Sequence, residues 1–368
     1  MLAKFAVKNY RGFKEKIELD LSHPANYEFN DFAIKNGIVK NGIVYGPNGC
    51  GKTNLGLAIF DIVNHLSQKM RHPDYYSKNF VYAGAPNYFV DFEYTFKFSS
   101  IELFYCYSKD TKGELRKESL SVNGIELFRR AESKLSIDSK TFPIANDMKR
   151  QLEINVSNVS ILGFILMYVP IDDKDSYLIK LKQFVDSMLW FRSLRQNEFI
   201  GLETTPTQLE EFVISNNYIK DFQDYLEKVS GQKYHFVNQS NKDKQLVCEI
   251  DGHIALFSVV MSLGTEALLL LFYWTKKLDS ASFVFIDEFD AFYHFKLSTE
   301  VCRLLFQSNC QLFLSSHNTY LMANTLLRPD CNFIITDNKI KPLNECTDKD
   351  LRFGHNIEKL YRGNIFAV

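Results

Sequence analysis

The sequence predicts an α/β fold in which a mixed β-sheet is combined with an antiparallel β-meander and a helical insertion. Two continuous apolar runs, Phe283–Ile286 and Gln311–Leu314, flank a helical segment, which is typical of buried parallel strands. Phe92–Phe98 instead alternates between apolar and polar residues, as expected for a strand with one solvated face. No sustained heptad repeat is present, so a coiled-coil arm is not expected.

Length and composition indicate a globular protein with two lobes. The chain has 368 residues, 46% hydrophobic and 24% charged, and its 32 Phe and 19 Tyr are explained by core packing. The formal net charge of −1 provides no global attraction to nucleic acid. DNA or RNA is therefore a possible partner only through a local patch or a dimer groove.

Cysteine usage and hydropathy point to a cytoplasmic protein. The seven cysteines contain no C-x-x-C pair, which argues against a disulfide framework and a zinc site. The first ten residues alternate like a strand and do not resemble a signal peptide. The longest apolar runs, Ile161–Pro170 and Ala267–Trp274, are too short to cross a bilayer, so no membrane partner is expected.

A glycine-rich segment carries the strongest chemical signal. It reads Gly46, Pro47, Asn48, Gly49, Cys50, Gly51, Lys52, Thr53 and matches G-x-x-x-x-G-K-[ST], with the apolar strand Asn41–Tyr45 before it and the helical segment Asn54–Phe60 after it. In this context backbone N–H groups surround phosphates, Lys52 reaches the β and γ phosphates, and Thr53 ligates Mg²⁺. The segment predicts binding of a nucleoside triphosphate with magnesium.

The remaining elements divide the chain into three expected units. Residues 1–128 would form a first lobe, with two opening strands, the phosphate loop and a meander over Phe92–Phe98, Ile101–Tyr107 and Glu118–Phe128. Residues 129–231 would be a mainly helical insertion, and residues 232–368 would resume the nucleotide-binding fold. The helix candidates in the insertion are Lys149–Ile154, Leu178–Arg192, Thr207–Ile214 and Ile219–Val229.

Two acidic residues and a histidine follow the apolar strands. Asp287 and Glu288 come directly after Phe283–Ile286, where the first would hold Mg²⁺ and the second would polarise an attacking water. Gln311–Leu314 is followed by Ser315-Ser316-His317-Asn318, which places His317 near the same sheet edge. The phosphate loop, the acids and the histidine thus each follow a predicted strand, so they can meet at the same edge of one sheet.

Together with three further motifs and the D-loop that continues the two acids, these residues resemble the ABC-class ATPases of the SMC/RecF/OLD group. The additional matches are the opening Asn9-Tyr10-Arg11-Gly12-Phe13, the signature Met261–Thr265, the acids and D-loop Asp287–Asp290, and the tail Asn356–Gly363, which is similar to that of stand-alone bacterial members. The resemblance covers roughly residues 1–128 and 232–368. It implies an ABC-type P-loop fold without a coiled-coil arm, and a Mg²⁺-dependent ATPase.

The resemblance also implies roles for individual residues. Ser262 and Gly264 would bind the γ-phosphate of ATP held by a second copy of the chain, which makes an ATP-dependent head-to-tail homodimer. His317 would contact the γ-phosphate and Asp290 would couple the two sites. Asn54 would add to the nucleotide site, and Arg11 would either reach phosphate or be an exposed turn residue. Ser262 is equally well explained as the N-cap of a core helix.

Two features depart from the group. Leu263 stands where many ABC signatures have glycine, and no glutamine after Phe92–Phe98 suits the magnesium-sensing contact, so hydrolysis is expected to be slow.

The chain is expected to lack a C-terminal nuclease of the OLD type. The first hypothesis is therefore a sensor or switch that controls a separately encoded effector in bacterial anti-phage defence. A RecF-like DNA-repair ATPase and an antitoxin-like binding protein with a structural ATP site are the alternatives.

Overall fold

The computed structural model describes residues 1–71, 80–85, 88–131, 134–138, 141–142, 144, 146–154, 159–173, 176–192, 197–237, 244–336 and 339–366. The strands are β1 (Leu2–Lys8), β2 (Ile17–Asp20), β3 (Ile34–Lys35), β4 (Ile38–Val39), β5 (Asn41–Tyr45), β6 (Val90–Phe98), β7 (Ile101–Lys109), β8 (Leu115–Val122), β9 (Ile125–Ala131), β10 (Lys134–Ile137), β11 (Leu189–Arg192), β12 (Glu198–Gly201), β13 (His235–Phe236), β14 (Val247–Ile250), β15 (His253–Leu256), β16 (Phe283–Asp287), β17 (Gln311–Ser316), β18 (Asn332–Thr336) and β19 (Lys339–Pro342).

The α-helices are α1 (Lys52–Ile59), α2 (Val63–Leu66), α3 (Asn146–Ile154), α4 (Ile161–Tyr168), α5 (Ser176–Asp186), α6 (Leu209–Ser215), α7 (Ile219–Ser230), α8 (Phe257–Val260), α9 (Leu263–Thr275), α10 (Phe295–Leu305) and α11 (Ile357–Arg362). In the described part of the chain, no helix has the length and apolar character needed to span a membrane.

The first large sheet contains the predicted meander. Its strand order is β10-β9-β8-β7-β6-β1-β2, and all of its pairs are antiparallel. Phe92, Tyr94 and Phe96 are buried on one face, while the residues between them are half-buried, so the alternation along β6 reflects one covered face. The β8–β9 turn uses Asn123 and Gly124, both with positive φ (48° and 79°), as a tight hairpin requires.

The second large sheet positions the predicted site. Its order is β12-β11-β16-β17-β5-β18-β19, in which the five strands from β11 to β18 are parallel and the two edge pairs are antiparallel. Every residue of β5, β16 and β17 is buried, as expected for strands covered on both faces. Because the three strands are adjacent and parallel, the segments that follow Tyr45, Asp287 and Ser316 meet at one sheet edge.

The helix expected over Leu178–Arg192 is wrong at its C-terminal end. Helix α5 ends at Asp186, and Leu189–Arg192 forms β11, parallel to the strand that ends in Asp287. Its three apolar residues are buried to 1% exposure or less, and such a short apolar run has no period that separates strand from helix. The 129–231 segment therefore supplies two strands of this sheet. The division of the chain at 128/129 and 231/232 stays a prediction.

Candidate nucleotide-binding site

The segment between β5 and α1 has the conformation that a phosphate-binding loop needs. Gly51 has φ 104°, and a Cβ there would lie 2.5 Å from the Phe13 ring. A Cβ on Gly46 would lie 2.6 Å from both the Cys50 sulfur and the Ile335 carbonyl oxygen. Pro47–Gly49 are exposed at the tip of the loop. The glycines are thus required by close contacts, and the open side of the loop can receive a phosphate chain.

Lys52 begins α1 and points back across the loop. Its ammonium group donates hydrogen bonds to the carbonyl oxygens of Gly46 (2.9 Å) and Pro47 (3.2 Å) and lies 3.4 Å from Nδ1 of His317. The residue is 5% exposed, and burial lowers the pKa of this amine. A phosphate oxygen would compensate that buried charge better than the two carbonyl groups do, so the side chain suits a polyphosphate.

Thr53 and Asp287 bring two oxygen donors together. The Thr53 hydroxyl donates a 2.8 Å hydrogen bond to Oδ2 of Asp287, and the Ser315 hydroxyl donates a 2.7 Å bond to Oδ1. Asp287 is fully buried, and burial raises the pKa of its carboxyl group, although both hydrogen bonds act in the opposite direction. A hydroxyl and a carboxylate are ligands that Mg²⁺ prefers.

The chain by itself offers only a partial magnesium site. Among the residues that the structure describes, no three His, Cys, Asp or Glu side chains are grouped as metal ligands. Mg²⁺ commonly binds through one or two protein groups and completes its shell with nucleotide phosphates and water. Thr53 and Asp287 therefore fit a magnesium ion that is bound together with a nucleotide.

Glu288 and Asp290 follow the strand in a strained turn. Glu288 has φ 48°, a left-handed conformation that is costly for a residue with a side chain, and its N–H donates a 2.8 Å bond to Oγ of Ser315. Asp290 accepts a 2.7 Å hydrogen bond from the Ser316 hydroxyl, and burial raises the pKa of its carboxyl group. Both acids are thus placed by hydroxyl groups of the neighbouring strand.

His317 comes directly after β17 and has an exposed side chain. Partial burial and the nearby Lys52 charge lower the pKa of its imidazole, so the ring is neutral at physiological pH. The structure therefore brings together Lys52, Thr53, Asp287 and His317, four of the side chains expected to act on ATP.

The signature turn is built as a helix N-terminus. The Ser262 hydroxyl accepts a 3.2 Å bond from the Thr265 N–H, and the Thr265 hydroxyl donates a 2.9 Å bond to Gln232. Ser262 thus caps the 13-residue helix α9, in agreement with the simpler explanation of the motif. Within the described part of the chain, no hydrogen bond joins Ser262 or Gly264 to Lys52.

The turn that carries Arg11 lies against the start of α1. Arg11 has φ 47°, its N–H donates a 2.7 Å bond to the Phe80 carbonyl, and its guanidinium lies 5.6 Å from the Tyr10 ring centre. A Cβ on Gly12 would lie 3.4 Å from the Asn54 side-chain nitrogen. The opening motif is therefore adjacent to the nucleotide loop, with Asn54 at the contact.

The sequence alone does not reveal that Arg192, Ser315 and Ser316 lie next to the acids of the site. Arg192 pairs in register with Asp287, and its positive charge favours the ionised form of that carboxylate. The sequence predicts a helix over this residue, and a helix would not place it beside Asp287 in a sheet. In the sequence, Ser315 and Ser316 are recognisable only as part of the segment that carries His317. The available signal is the pair of adjacent hydroxyl residues directly after the apolar run Leu312–Leu314.

Comparison with known proteins identifies a family. A model described as the RecF/RecN/SMC N-terminal domain matches residues 1–338. No curated protein matches the sequence.

Similar solved structures have low sequence identity. They include the SMC head domain from Thermotoga maritima, with 15% identity, 93% of this chain and 98% of that chain covered, and a TM-score of 0.44. The Smc head domain with a coiled coil and joint from Pyrococcus yayanosii has 12% identity, 99% coverage of both chains and a TM-score of 0.47. The recombination mediator protein RecF with ATP has 14% identity, 93% and 99% coverage, and a TM-score of 0.38.

The family match includes the phosphate loop, the signature turn, the strand that ends in Asp287 and the histidine that follows β17. The protein belongs to the RecF/RecN/SMC N-terminal domain family and has its ABC-type ATP-binding fold.

Proposed function

We propose that the protein is a Mg²⁺-dependent ATPase that forms a head-to-tail homodimer on ATP and acts as a switch for a separate effector in anti-phage defence. The observation that carries the ATPase proposal is the convergence of four side chains. Thr53 donates a 2.8 Å hydrogen bond to Asp287, and the Lys52 ammonium group lies 3.4 Å from Nδ1 of His317. These groups come from three adjacent strand ends, and each has a matching role in phosphate chemistry.

The roles of the residues follow from their chemistry. Lys52 would exchange its two carbonyl acceptors for phosphate oxygens, and Thr53 with Asp287 would hold the magnesium ion, which neutralises phosphate charge. Glu288 would orient and polarise the attacking water. His317 is neutral and exposed, so it can donate or accept one hydrogen bond at the terminal phosphate.

The dimer is supported by the signature turn. Ser262 and Leu263 are exposed, with 65% exposure for Leu263, although it is a large apolar residue. The N-terminus of α9 offers partial positive charge, which suits a phosphate. In a head-to-tail dimer, this turn would cover the ATP of the opposite copy and bury Leu263.

The switch role is supported by contacts of the tail. Glu358 accepts a 3.5 Å bond from the Thr319 hydroxyl, and the Arg362 guanidinium lies 5.2 Å from the Tyr320 ring centre. Both partners lie within three residues of His317 along the chain. A change at His317 on nucleotide binding would therefore reach the tail helix α11, where an effector could detect it at the exposed residues Lys359 and Arg362.

A RecF-like DNA-binding ATPase is the second candidate, since RecF is named in the family that matches. Two lysines at the β1 and β2 end of the first large sheet do not favour this candidate. Lys4 of β1 is already paired with Asp20 (2.8 Å), and Lys16, directly before β2, is paired with Glu93 (2.6 Å). DNA phosphates would have to compete with these acids, and such binding would weaken steeply with salt.

Glu288→Gln tests the first proposal. The variant should bind ATP, lose hydrolysis and become dimeric with ATP in light scattering, while Lys52→Ala should stay monomeric. A Glu288→Gln variant that binds ATP but remains monomeric would exclude the trans site. Pull-downs from the native host with these two variants should differ by an effector that follows the ATP-bound form. Salt-sensitive recovery of duplex DNA instead would favour the second candidate.

A further inference from the structure

The strand β17 ends in two consecutive serines that are both fully buried. Ser315 and Ser316 lie between β16, which leads to Asp287, and β5, which leads to the phosphate loop. Their backbones pair in register with Val44 and Tyr45 of β5. On the other side, the ladder with β16 stops at the pair Ile286–Leu314. The serine side chains make hydrogen bonds to the β16 side at the point where this backbone ladder ends.

Ser315 replaces the missing ladder with its hydroxyl. Its Oγ donates a 2.7 Å bond to Asp287 and accepts a 2.8 Å bond from the Glu288 N–H, and its carbonyl oxygen accepts a 3.3 Å bond from the Phe289 N–H. One side chain therefore fixes Oδ1 of Asp287, which leaves Oδ2 facing Thr53. The same side chain supports the left-handed backbone of Glu288.

Ser316 makes the equivalent arrangement one residue later. Its hydroxyl donates a 2.7 Å bond to Asp290 and accepts a 2.9 Å bond from the Asn318 N–H. Each hydroxyl thus donates to an acid at the end of β16 or in the turn after it, and accepts from a backbone N–H. The two serines directly precede His317, so the acids and the histidine are tied to one strand end.

We propose that Ser315 and Ser316 are positioning residues that couple His317 to the acids of the site, with Ser315 setting the metal-facing carboxylate of Asp287 and the backbone of Glu288, and Ser316 setting Asp290. The roles at turnover and in the dimer rest on the proposed function. The role of Ser315 toward the metal requires only that the chain binds a nucleotide with a divalent cation.

An apolar side chain at either position would lose both bonds in a fully buried place. The carboxylate would keep its position only through its remaining contacts, and a backbone N–H would be left without an acceptor. Threonine retains the hydroxyl and therefore separates loss of the hydrogen bonds from a change of side-chain size. Ser308, whose hydroxyl bonds the Leu305 carbonyl (2.7 Å), offers a control serine away from the acids.

For Ser315, the test compares Ser315→Ala, Ser315→Thr and Ser308→Ala. Binding of a fluorescent ATP analogue without metal should change by less than about twofold in Ser315→Ala. Its Mn²⁺ affinity in the presence of ATP, read by electron paramagnetic resonance, should fall roughly tenfold, as is usual when a residue that orients a metal ligand is lost. Ser315→Thr should restore it. Unchanged Mn²⁺ affinity in Ser315→Ala would overturn the role of Ser315.

For Ser316, the test uses the ATP-trapped form. Ser316→Ala in the Glu288→Gln background should bind ATP and Mn²⁺ as its parent does, but its ATP-dependent dimerisation constant should weaken by about tenfold or more. Equal dimerisation of the two proteins would overturn the role of Ser316. A parent protein that binds ATP without dimerising would overturn this role and the proposed dimer together, while the Mn²⁺ measurement on Ser315 would still stand by itself.

Poor folding of an alanine variant is controlled in two ways. Circular dichroism and thermal melting establish that each protein is folded before binding is measured. If Ser315→Ala does not fold, Ser315→Cys replaces it, because the thiol fills the site with a weak hydrogen-bonding group. The same tenfold loss of Mn²⁺ affinity is expected for it, and wild-type affinity would count against the proposal.

Discussion

The Thr53 hydroxyl donates a 2.8 Å hydrogen bond to Asp287, which lies 234 residues later in the chain. This contact joins the first turn of α1 to the end of β16 and brings together the two groups proposed to hold magnesium. Asp287 is fully buried, and its acceptor capacity is shared between Thr53 and Ser315. The site thus holds a carboxylate in a place where burial disfavours its charge.

Asp287→Asn is predicted to stabilise the nucleotide-free protein while it abolishes hydrolysis. Burial raises the pKa of Asp287, so the folded state binds its proton more tightly than the unfolded state. The ionised group therefore costs stability as the pH rises above its ordinary pKa of 3.8. A neutral amide removes that cost, and scanning calorimetry at neutral pH should show a melting temperature roughly 1–3 °C higher.

A second buried aspartate is the control for Asp287→Asn. Asp330 accepts two 2.8 Å hydrogen bonds from the Arg328 guanidinium, so its charge is compensated. Asp330→Asn should lower the free energy of unfolding by about 2–4 kcal/mol, because it removes the closest counter-charge of a buried guanidinium. If Asp287→Asn and Asp330→Asn changed the stability of the protein by the same amount, the conclusion that the buried charge of Asp287 destabilises the folded state would be contradicted.

The sequence was sufficient for the parts of the site that lie in contiguous motifs. Gly46–Thr53 is recognisable because eight residues in fixed order impose one loop conformation, and Phe283–Ile286 is recognisable because a doubly covered strand is apolar throughout. Ser315 and Arg192 could not be assigned in this way. Their roles depend on which strands are neighbours, and that order is set by packing of the whole sheet.

Gly56→Ala is predicted to destabilise the protein through contact between α1 and the second sheet. An added Cβ would lie 2.8 Å from the Phe285 ring and 2.9 Å from the Trp190 indole nitrogen, both in fully buried side chains. Neither ring can move easily in a close-packed core, so the expected loss is about 1–3 kcal/mol in urea unfolding.

Gly163→Ala is the matched control, since Gly163 also lies inside a helix. Its added Cβ would be 3.4 Å or more from every neighbour, which is ordinary contact. Alanine also favours the helix, so this variant should be neutral or more stable by about 0.5–1 kcal/mol. If Gly163→Ala were also destabilised, the loss of stability in Gly56→Ala could not be attributed to the close contacts of its added Cβ.

Glu118→Gln is predicted to be strongly destabilising. Glu118 is 1% exposed and accepts bonds from five donors, which include Arg130, itself 1% exposed. The others are Tyr105, Ser160 and the N–H groups of Ile161 and Leu162 at the start of α4. An amide would place a donor against donors and leave the guanidinium without its counter-charge, at a cost of about 3–5 kcal/mol.

The exposed pair of Glu126 and Arg129 provides the comparison for Glu118→Gln. Their contact is shorter, at 2.6 Å against 3.2 Å for Glu118 and Arg130, but both side chains are solvated. Glu126→Gln should therefore change the unfolding free energy by less than about 1 kcal/mol. If the two substitutions cost the same in urea unfolding, burial of Glu118 is not the cause of its effect.

Protein stability is predicted to decrease as the pH falls below 6.5, because of His65. Tyr105 donates its hydroxyl hydrogen to Glu118, so its oxygen must accept from Nε2–H of His65, at 3.1 Å. Nδ1 is then the unprotonated nitrogen, and it is buried with no hydrogen-bond partner among the residues that the structure describes. Burial and the nearby Lys109 charge hold the pKa of His65 well below its usual 6.5.

The sign of the pH effect follows from this lowered pKa. Below pH 6.5 the unfolded chain binds a proton on His65 that the folded protein does not, so the unfolding free energy rises with pH through this window and levels off above it. Urea titrations at about pH 5.5 and pH 7.5 measure the slope. His65→Gln keeps a donor for Tyr105 without the titration and should flatten the slope, although His317 contributes in the same direction. An unchanged slope in the variant would assign the pH dependence to other groups.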